Sequence, residues 1–404
     1  MNSHVDETRR SRGRFAAGAL ALAVVAALSA PEQARAQASP WSYNQDLHLT
    51  YEFDDNVNEA TGATVSVAQT DPIRAQVAKL AYRGDLEWGG GEQRLSFTFH
   101  GGYKRHFGLV DDGPAQDEAE AEGELDVSSQ LVSEGSLNYT RRVTDDFAVS
   151  ARAGIKDRRW TEDEFFFINE DAFRRYSTGV SGIVNLEPLI PDRSAFIEAG
   201  ARFSDIEFRN LDQLFGNETV GGHVFLIKEY GHGIEATWSY SYDRVRYSGR
   251  GKLEPGDDPS GILGPTRARQ EDRLHDLGVE VRWFGTLGVV ADYNYRYNDS
   301  NSFGFSWYSH NVGLQLLHQG PWGLFVHASG QLELRSFTEP VPSITAGSLD
   351  IGEAENNLLL FRVVKDVTPA YSVEARYARY RNESITLNDF YSKNIYAVGV
   401  TYRP

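Results

Sequence analysis

The chain has 404 residues and a formal net charge of −17, with no cysteine, one methionine, 38 glycines, 20 tyrosines, 22 phenylalanines and 7 tryptophans. The missing cysteines exclude a disulfide scaffold, a thiolate metal site and a cysteine nucleophile. The acidic balance argues against a nucleic-acid partner, which would need a basic surface.

The first 36 residues read as an export signal. Arg9, Arg10, Arg12 and Arg14 precede an apolar run from Phe15 to Leu28, and Ala34-Arg35-Ala36 offers a small-x-small cleavage site. Residues 1–36 are therefore expected to be a signal peptide and residues 37–404 a single barrel domain. The signal carries five arginines and three acids, so the remaining chain has a charge of −19. Mean hydropathy is −0.44, and no later apolar run reaches the length of a transmembrane helix. Barrel strands escape that test because they alternate.

Alternation begins at once. Tyr43, Leu47, Leu49, Tyr51 and Phe53 share one face of a strand over Trp41–Phe53, and a polar loop follows. Leu80, Tyr82, Gly84, Leu86 and Trp88 share the next strand, which turns at Gly89-Gly90-Gly91. Leu95, Phe97, Phe99, Gly101, Tyr103 and Phe107 form the third. From Glu118 to Thr140 every odd position is apolar or small and every even one but Val132 is polar, which predicts one long strand. A membrane strand needs about 9–11 residues, so this one is expected to project beyond the bilayer.

Thr144-Asp145-Asp146 turns it into strands at Phe147–Ile155 and Tyr176–Leu186, and Pro188–Asp192 turns again. Further strands are expected at Ala195–Phe203, Val220–Leu226 and, after Gly231-His232-Gly233, Ile234–Tyr242. Ser248–Arg269, rich in Gly, Pro and Asp, reads as the longest loop. The pattern resumes at Leu277–Trp283, Leu287–Tyr297, Tyr308–Leu316, Trp322–Leu334, Leu359–Val363, Tyr371–Tyr377 and Tyr396–Tyr402.

The total is sixteen strands, with eighteen open if Thr64–Gln69 contributes. Connections alternate between short turns and long loops. That pattern predicts an all-β, antiparallel, up-and-down transmembrane barrel in the outer membrane, with periplasmic turns and both termini periplasmic. Lipid and lipopolysaccharide are then its surroundings, and the barrel-assembly machinery its route in.

A barrel of this width is not filled by its own side chains and holds an aqueous channel. The inward positions become candidate selectivity residues. Glu118, Glu120, Glu122, Glu124 and Asp126 would form an acidic column. Lys104, Arg152, Lys156 and Arg158 on neighbouring strands would face it as salt-bridge partners or as a fixed-charge filter. Phe165, Phe166 and Phe167, in the loop Thr161–Asp171, need cover. They either fold into the lumen as a constriction or pack on other loops. His223, His232, His275, His310, His318 and His327 are scattered, with no serine or aspartate partner at telling spacing. No catalytic residue, cofactor or metal is expected.

Tyr51-Glu52-Phe53-Asp54-Asp55-Asn56-Val57 resembles the opening motif of many proteobacterial outer-membrane barrels. Some of these are linked to exopolysaccharide or capsule loci, others to lipoprotein-surface assembly. The ending, Asn394 to Pro404, is similar to the alternating signal read by the barrel-assembly machinery, though it closes on Arg403-Pro404 rather than an aromatic residue. The resemblance implies a pore serving polysaccharide export. Such exporters often carry a periplasmic helical-repeat scaffold; none is visible here, so separate periplasmic export proteins would be partners. The acidic balance suits a neutral or cationic polymer. A general or cation-preferring diffusion porin is the near-equal alternative, and a structural or adhesion barrel the third.

Overall fold

The structure, a computed structural model, describes residues 41–55, 73–90, 92–111, 129–160, 172–188, 194–208, 216–254, 264–339, 355–384 and 389–404. Its strands are β1 (Trp41–Asp54), β2 (Ile73–Gly90), β3 (Gln93–Asp111), β4 (Gln130–Thr144), β5 (Phe147–Trp160), β6 (Phe173–Asn185), β7 (Ala195–Phe208) and β8 (Asn217–Tyr230). They continue as β9 (Ile234–Glu254), β10 (Gly264–Phe284), β11 (Leu287–Ser300), β12 (Trp307–Gln319), β13 (Leu324–Phe337), β14 (Glu355–Asp366), β15 (Tyr371–Ser384) and β16 (Asp389–Tyr402). Each pairs antiparallel with its neighbours in sequence, and β16 returns to β1, so the sheet is a closed barrel with no lateral edge. Closure satisfies the backbone polar groups that lipid cannot.

The side-chain period of two sorts the residues. Outward positions carry the apolar residues: Leu49, Val180, Val220, Leu277 and Val398 each expose more than half of their surface. An apolar band circling the molecule far exceeds the few hundred Å² of apolar patch usual on a soluble monomer. Aromatic girdles flank it. Near the short turns lie Trp41 and Trp88 (ring centroids 6.3 Å apart) and Tyr371 stacked on Tyr402 (4.9 Å). On the side away from the short turns, Tyr240 OH meets His275 Nδ1 at 3.0 Å and Tyr293 OH meets His310 Nδ1 at 2.8 Å. Band and girdles together make the chain an integral barrel of the outer-membrane type. Among the described residues no helix is long and apolar enough to cross a membrane.

The structure revises three expectations. A fourth, the long strand from Glu118 to Thr140, is described only over Gln130–Thr144; Glu118–Ser128 lie outside the described residues. Ser248–Arg269 is not one loop: β9 and β10 each run 21 residues, and Gly264 still pairs Glu254. The ladder there is irregular, shifting register between Pro265 and Glu271; residues 255–263 lie outside the described residues. Trp322 does not open β13. It sits in the one-turn 3-10 helix Pro321–Gly323 at φ 60°, with 84% of its surface exposed. An eighteen-strand barrel is ruled out because β1 pairs directly with both β2 and β16. Thr64–Gln69 lies outside the described residues.

The seam has its own fastening. β1 and β16 pair from Leu47↔Tyr402 to Asp54↔Ile395. Just beyond, Asn394 donates from its backbone N–H to Asp55 Oδ1 (2.6 Å) and from Nδ2 to Oδ2 (2.7 Å), and Asp55 N–H donates to the Asn394 carbonyl (3.2 Å). The opening motif thus grips the last strand. Hydrogen bonds to a charged group are each worth about 1.5–3 kcal/mol. Asp55→Ala is expected to lower the unfolding free energy of the folded barrel, read from its urea midpoint, by a comparable total and Asp55→Asn by less. An unchanged midpoint for both would show that the grip adds nothing.

Candidate functional site: a charge-partitioned lumen

The inward positions line the lumen, and their charges are not mixed evenly. On β2–β6 they are mainly basic: Lys79, Arg83, Lys104, Arg152, Lys156, Arg158 and Arg175, with Asp85, Glu87 and Glu134 among them. On β7–β11 they are mainly acidic: Glu198, Glu229, Glu235, Asp243, Asp276, Glu280 and Asp292, with Arg202, Arg282 and Arg296 among them. A solute in the lumen therefore meets a basic arc on one side and an acidic arc on another.

All four cations expected from the sequence, Lys104, Arg152, Lys156 and Arg158, take inward positions. Their expected partners do not enter the picture: Glu118, Glu120, Glu122, Glu124 and Asp126 lie outside the described residues, as do Phe165, Phe166 and Phe167. Lys156 instead reaches Glu134 at 3.5 Å, and Arg152 reaches Glu198 at 3.5 Å. Arg158 faces the side-chain amide of Gln130, whose oxygen, turned towards it, would accept from the guanidinium.

A second network spans the seam. Glu52, only 2% exposed, holds Lys79 at 2.5 Å and also Arg376. Beside it Glu374 takes Arg362 at 2.5 Å and His48 Nε2 at 3.4 Å, and His48 Nδ1 meets Thr401 Oγ1 at 2.8 Å. Hydroxyl, imidazole and carboxylate in a row resemble a nucleophile relay. Here Arg362 and His48 share the carboxylate, which makes the row part of an ion network of the wall. The row ties β1, β14, β15 and β16 together. Glu52–Arg376, His48–Glu374 and His48–Thr401 join residues more than 300 positions apart, so strand-by-strand reading could not find them.

At the long-loop end the lumen wall of β10–β13 is covered. Ser302, Phe305 and Ser306 of the β11–β12 connection are buried, and Asn298, an inward residue, donates Nδ2 to the Phe305 carbonyl at 2.9 Å. The connection therefore turns into the barrel mouth. Below it Asp272 accepts from Ser300 Oγ (2.6 Å) and Gln270 Nε2 (3.1 Å). Among the described residues this segment narrows the opening; Thr161–Asp171 lies outside them.

On the outer face, Glu271 lies further from the β10 turn than the about 9–11 residues that cross hydrocarbon. Hydrogen bonds from Arg244 (2.6 Å), helped by Arg246, hold its carboxyl below the usual range.

Between β8 and β11 the wall hollows into a recess of about 480 Å³, lined by Phe225, Ile227, Glu235, Thr237, Ser239, Glu280, Arg282, Asp292 and Asn294. Inward glycines make room for it. A Cβ on Gly278 would collide with Ser239 Oγ and Asn294 Oδ1, and one on Gly313 with the Asp292 carboxylate. Large polar side chains lie flat across their glycine neighbours, which keeps the bore wide. An inward glycine opposite a carboxylate is the sequence signal that would have pointed here.

The six scattered histidines divide by face. His275, His310 and His318 are outward, His223 and His327 inward, and His232 lies in a turn at φ 67°. Among the described residues no group of three or more His, Asp or Glu is placed to hold a metal.

No family model matches the chain, and no curated protein matches it in sequence. Solved structures similar to it include OpdK of Pseudomonas aeruginosa with vanillate, at 10% identity and TM-score 0.46, covering 90% of this chain and 99% of that one. OccAB1 of Acinetobacter baumannii has 12% identity and TM-score 0.46, covering 93% and 99%. A bacterial polysaccharide outer-membrane secretin has 9% identity and TM-score 0.42, covering 89% and 98%. At such values the reading of this chain rests on its own residues.

Proposed function

We propose that the chain is an outer-membrane diffusion pore for polar solutes, with its short turns and both termini on the periplasmic side. The partitioned lumen carries the reading. Separated arcs of fixed charge orient a dipolar or charged solute and favour its passage over that of apolar ones. Arg175 in one arc, and Glu229 and Asp292 in the other, have no ion-pair partner among the described residues. Their charge is open to the solute. Lipid and lipopolysaccharide around the outward band, and the assembly machinery at insertion, belong to the same proposal.

Polysaccharide export with periplasmic partners stands second. It rests on the opening motif, and that motif's Glu52 and Asp55 have work enough in closing the barrel. One experiment separates the two. The refolded barrel in a planar bilayer is expected to give steady, ohmic single-channel steps. Glu229→Gln with Asp292→Asn should shift the reversal potential in a salt gradient towards anions. A correctly inserted barrel that stays silent would overturn the diffusion pore and favour an exporter that opens only with its partner.

A further inference from the structure

We propose that the recess between β8 and β11 is a binding site for an aliphatic diamine or a comparably compact organic dication. The inference rests on the inward face being a water-filled lumen. The charge balance comes first. Arg282 is engaged by Glu280 at 2.7 Å and Glu235 at 3.2 Å, so it offsets one of those two carboxylates. Asp292 has no cationic partner among the described residues; its neighbour is the Asn294 amide at 3.4 Å. Three carboxylates against one guanidinium leave the recess with two negative charges. Those charges are divided between the Glu235–Glu280 pair on β9 and β10 and Asp292 on β11.

The second observation is independent of charge. The β8 side of the recess is apolar, formed by Phe225 and Ile227; Val279 adds to the apolar lining, and Thr237, Ser239 and Asn294 are neutral hydrogen-bonding groups. A hydrated inorganic dication has no apolar surface to place against Phe225 and Ile227. A chain of methylenes has such a surface, and an ammonium near the Phe225 face gains a cation–π term as well. The recess, about 480 Å³, lies within the ~300–1,000 Å³ range of small-molecule sites. Gly313 clears the space in which the Asp292 carboxylate lies, and Gly278 the space of Ser239 and Asn294, so the site is part of the backbone design of the wall.

The test is equilibrium binding to the folded full-length barrel in detergent at low salt, with 1,4-diaminobutane as probe and 1-aminobutane and calcium chloride as comparisons. The diamine should bind saturably and at least tenfold more tightly than either. Asp292→Asn, which breaks no ion pair, should weaken it at least tenfold. Thr237→Lys, which places an ammonium in the recess from a lumen-facing position, should abolish it. Calcium binding as tightly as the diamine would overturn the proposal, as would diamine binding indifferent to both variants or no saturable binding at all. The readout does not depend on conductance. A silent barrel that binds the diamine would keep the site and remove the diffusion pore; a conducting barrel that does not bind would do the reverse.

Discussion

Leu314→Arg is expected to destabilise the folded barrel by about 2–4 kcal/mol, the cost of an arginine at the lipid midplane. Gln315→Arg, one residue on, should change stability by no more than about 0.5 kcal/mol. Both lie near the middle of β12, so depth is the same and only the face differs. Leu314 pairs with Ala291 and Gly330 on the outward face and is 46% exposed, with lipid its only surroundings there. Gln315 pairs with Val290 and Ser329 on the inward face, where water can solvate a guanidinium. Urea unfolding in liposomes, followed by tryptophan fluorescence, measures both. Equal costs for the two variants would mean that the faces have been assigned wrongly or that the lumen is dry. Reversed costs would turn the barrel inside out.

The outward face was legible because lipid imposes one rule on it everywhere. Every second residue must be apolar for the length of the span, and that rule survives without any knowledge of partners. The turns were legible for the same reason: Gly89-Gly90, Thr144–Asp146 and Gly231–Gly233 interrupt the alternation where the chain reverses. Past the bilayer the rule lapses. Ser248–Arg269 looks like a loop by composition, yet its ends continue the ladder, because strands standing in water need no apolar face. The inward face obeys a different rule, pairing of charge across strands. Lys104, Arg152, Lys156 and Arg158 could be assigned to it by parity alone. Which acid each would meet depended on register, and Glu134 and Glu198 were not among the residues singled out.

The seam shows how far apart such partners can be. Glu52–Arg376, His48–Glu374 and Asp55–Asn394 each join the two ends of the chain. Nothing in either segment announces the other. The opening motif was recognisable as a string, but its physical meaning appears only when β16 lies beside β1. Two of its acids then face inward or clamp the last strand, while Tyr51 and Phe53 between them face lipid. A motif that closes a barrel says little about cargo, and for that reason the lumen rather than the motif carries the functional reading.

Glu52→Ala is expected to be the most damaging single change in the lumen, at about 3–5 kcal/mol, because removing one partner of a buried ion network leaves the others uncompensated. Glu52 is almost fully enclosed and holds both Lys79 and Arg376, which come from β2 and β15 on either side of the seam. The control is Glu87→Ala. Its partner Arg94 lies at 2.8 Å, but both side chains are well exposed to water, and such pairs contribute about 0–1 kcal/mol. A further variant separates loss of charge balance from loss of packing. Glu52→Leu combined with Lys79→Met and Arg376→Met removes every charge in the network and should recover most of the stability lost in Glu52→Ala, as replacement of a buried ion network by apolar groups is often neutral. Urea midpoints for the four proteins decide it. If Glu52→Ala and Glu87→Ala cost the same, water screens the seam as fully as the open lumen, and the network is dispensable. If the triple variant is as unstable as Glu52→Ala, the three charged groups specify the β1–β16 register by their hydrogen-bonding geometry, and no apolar filling can replace them.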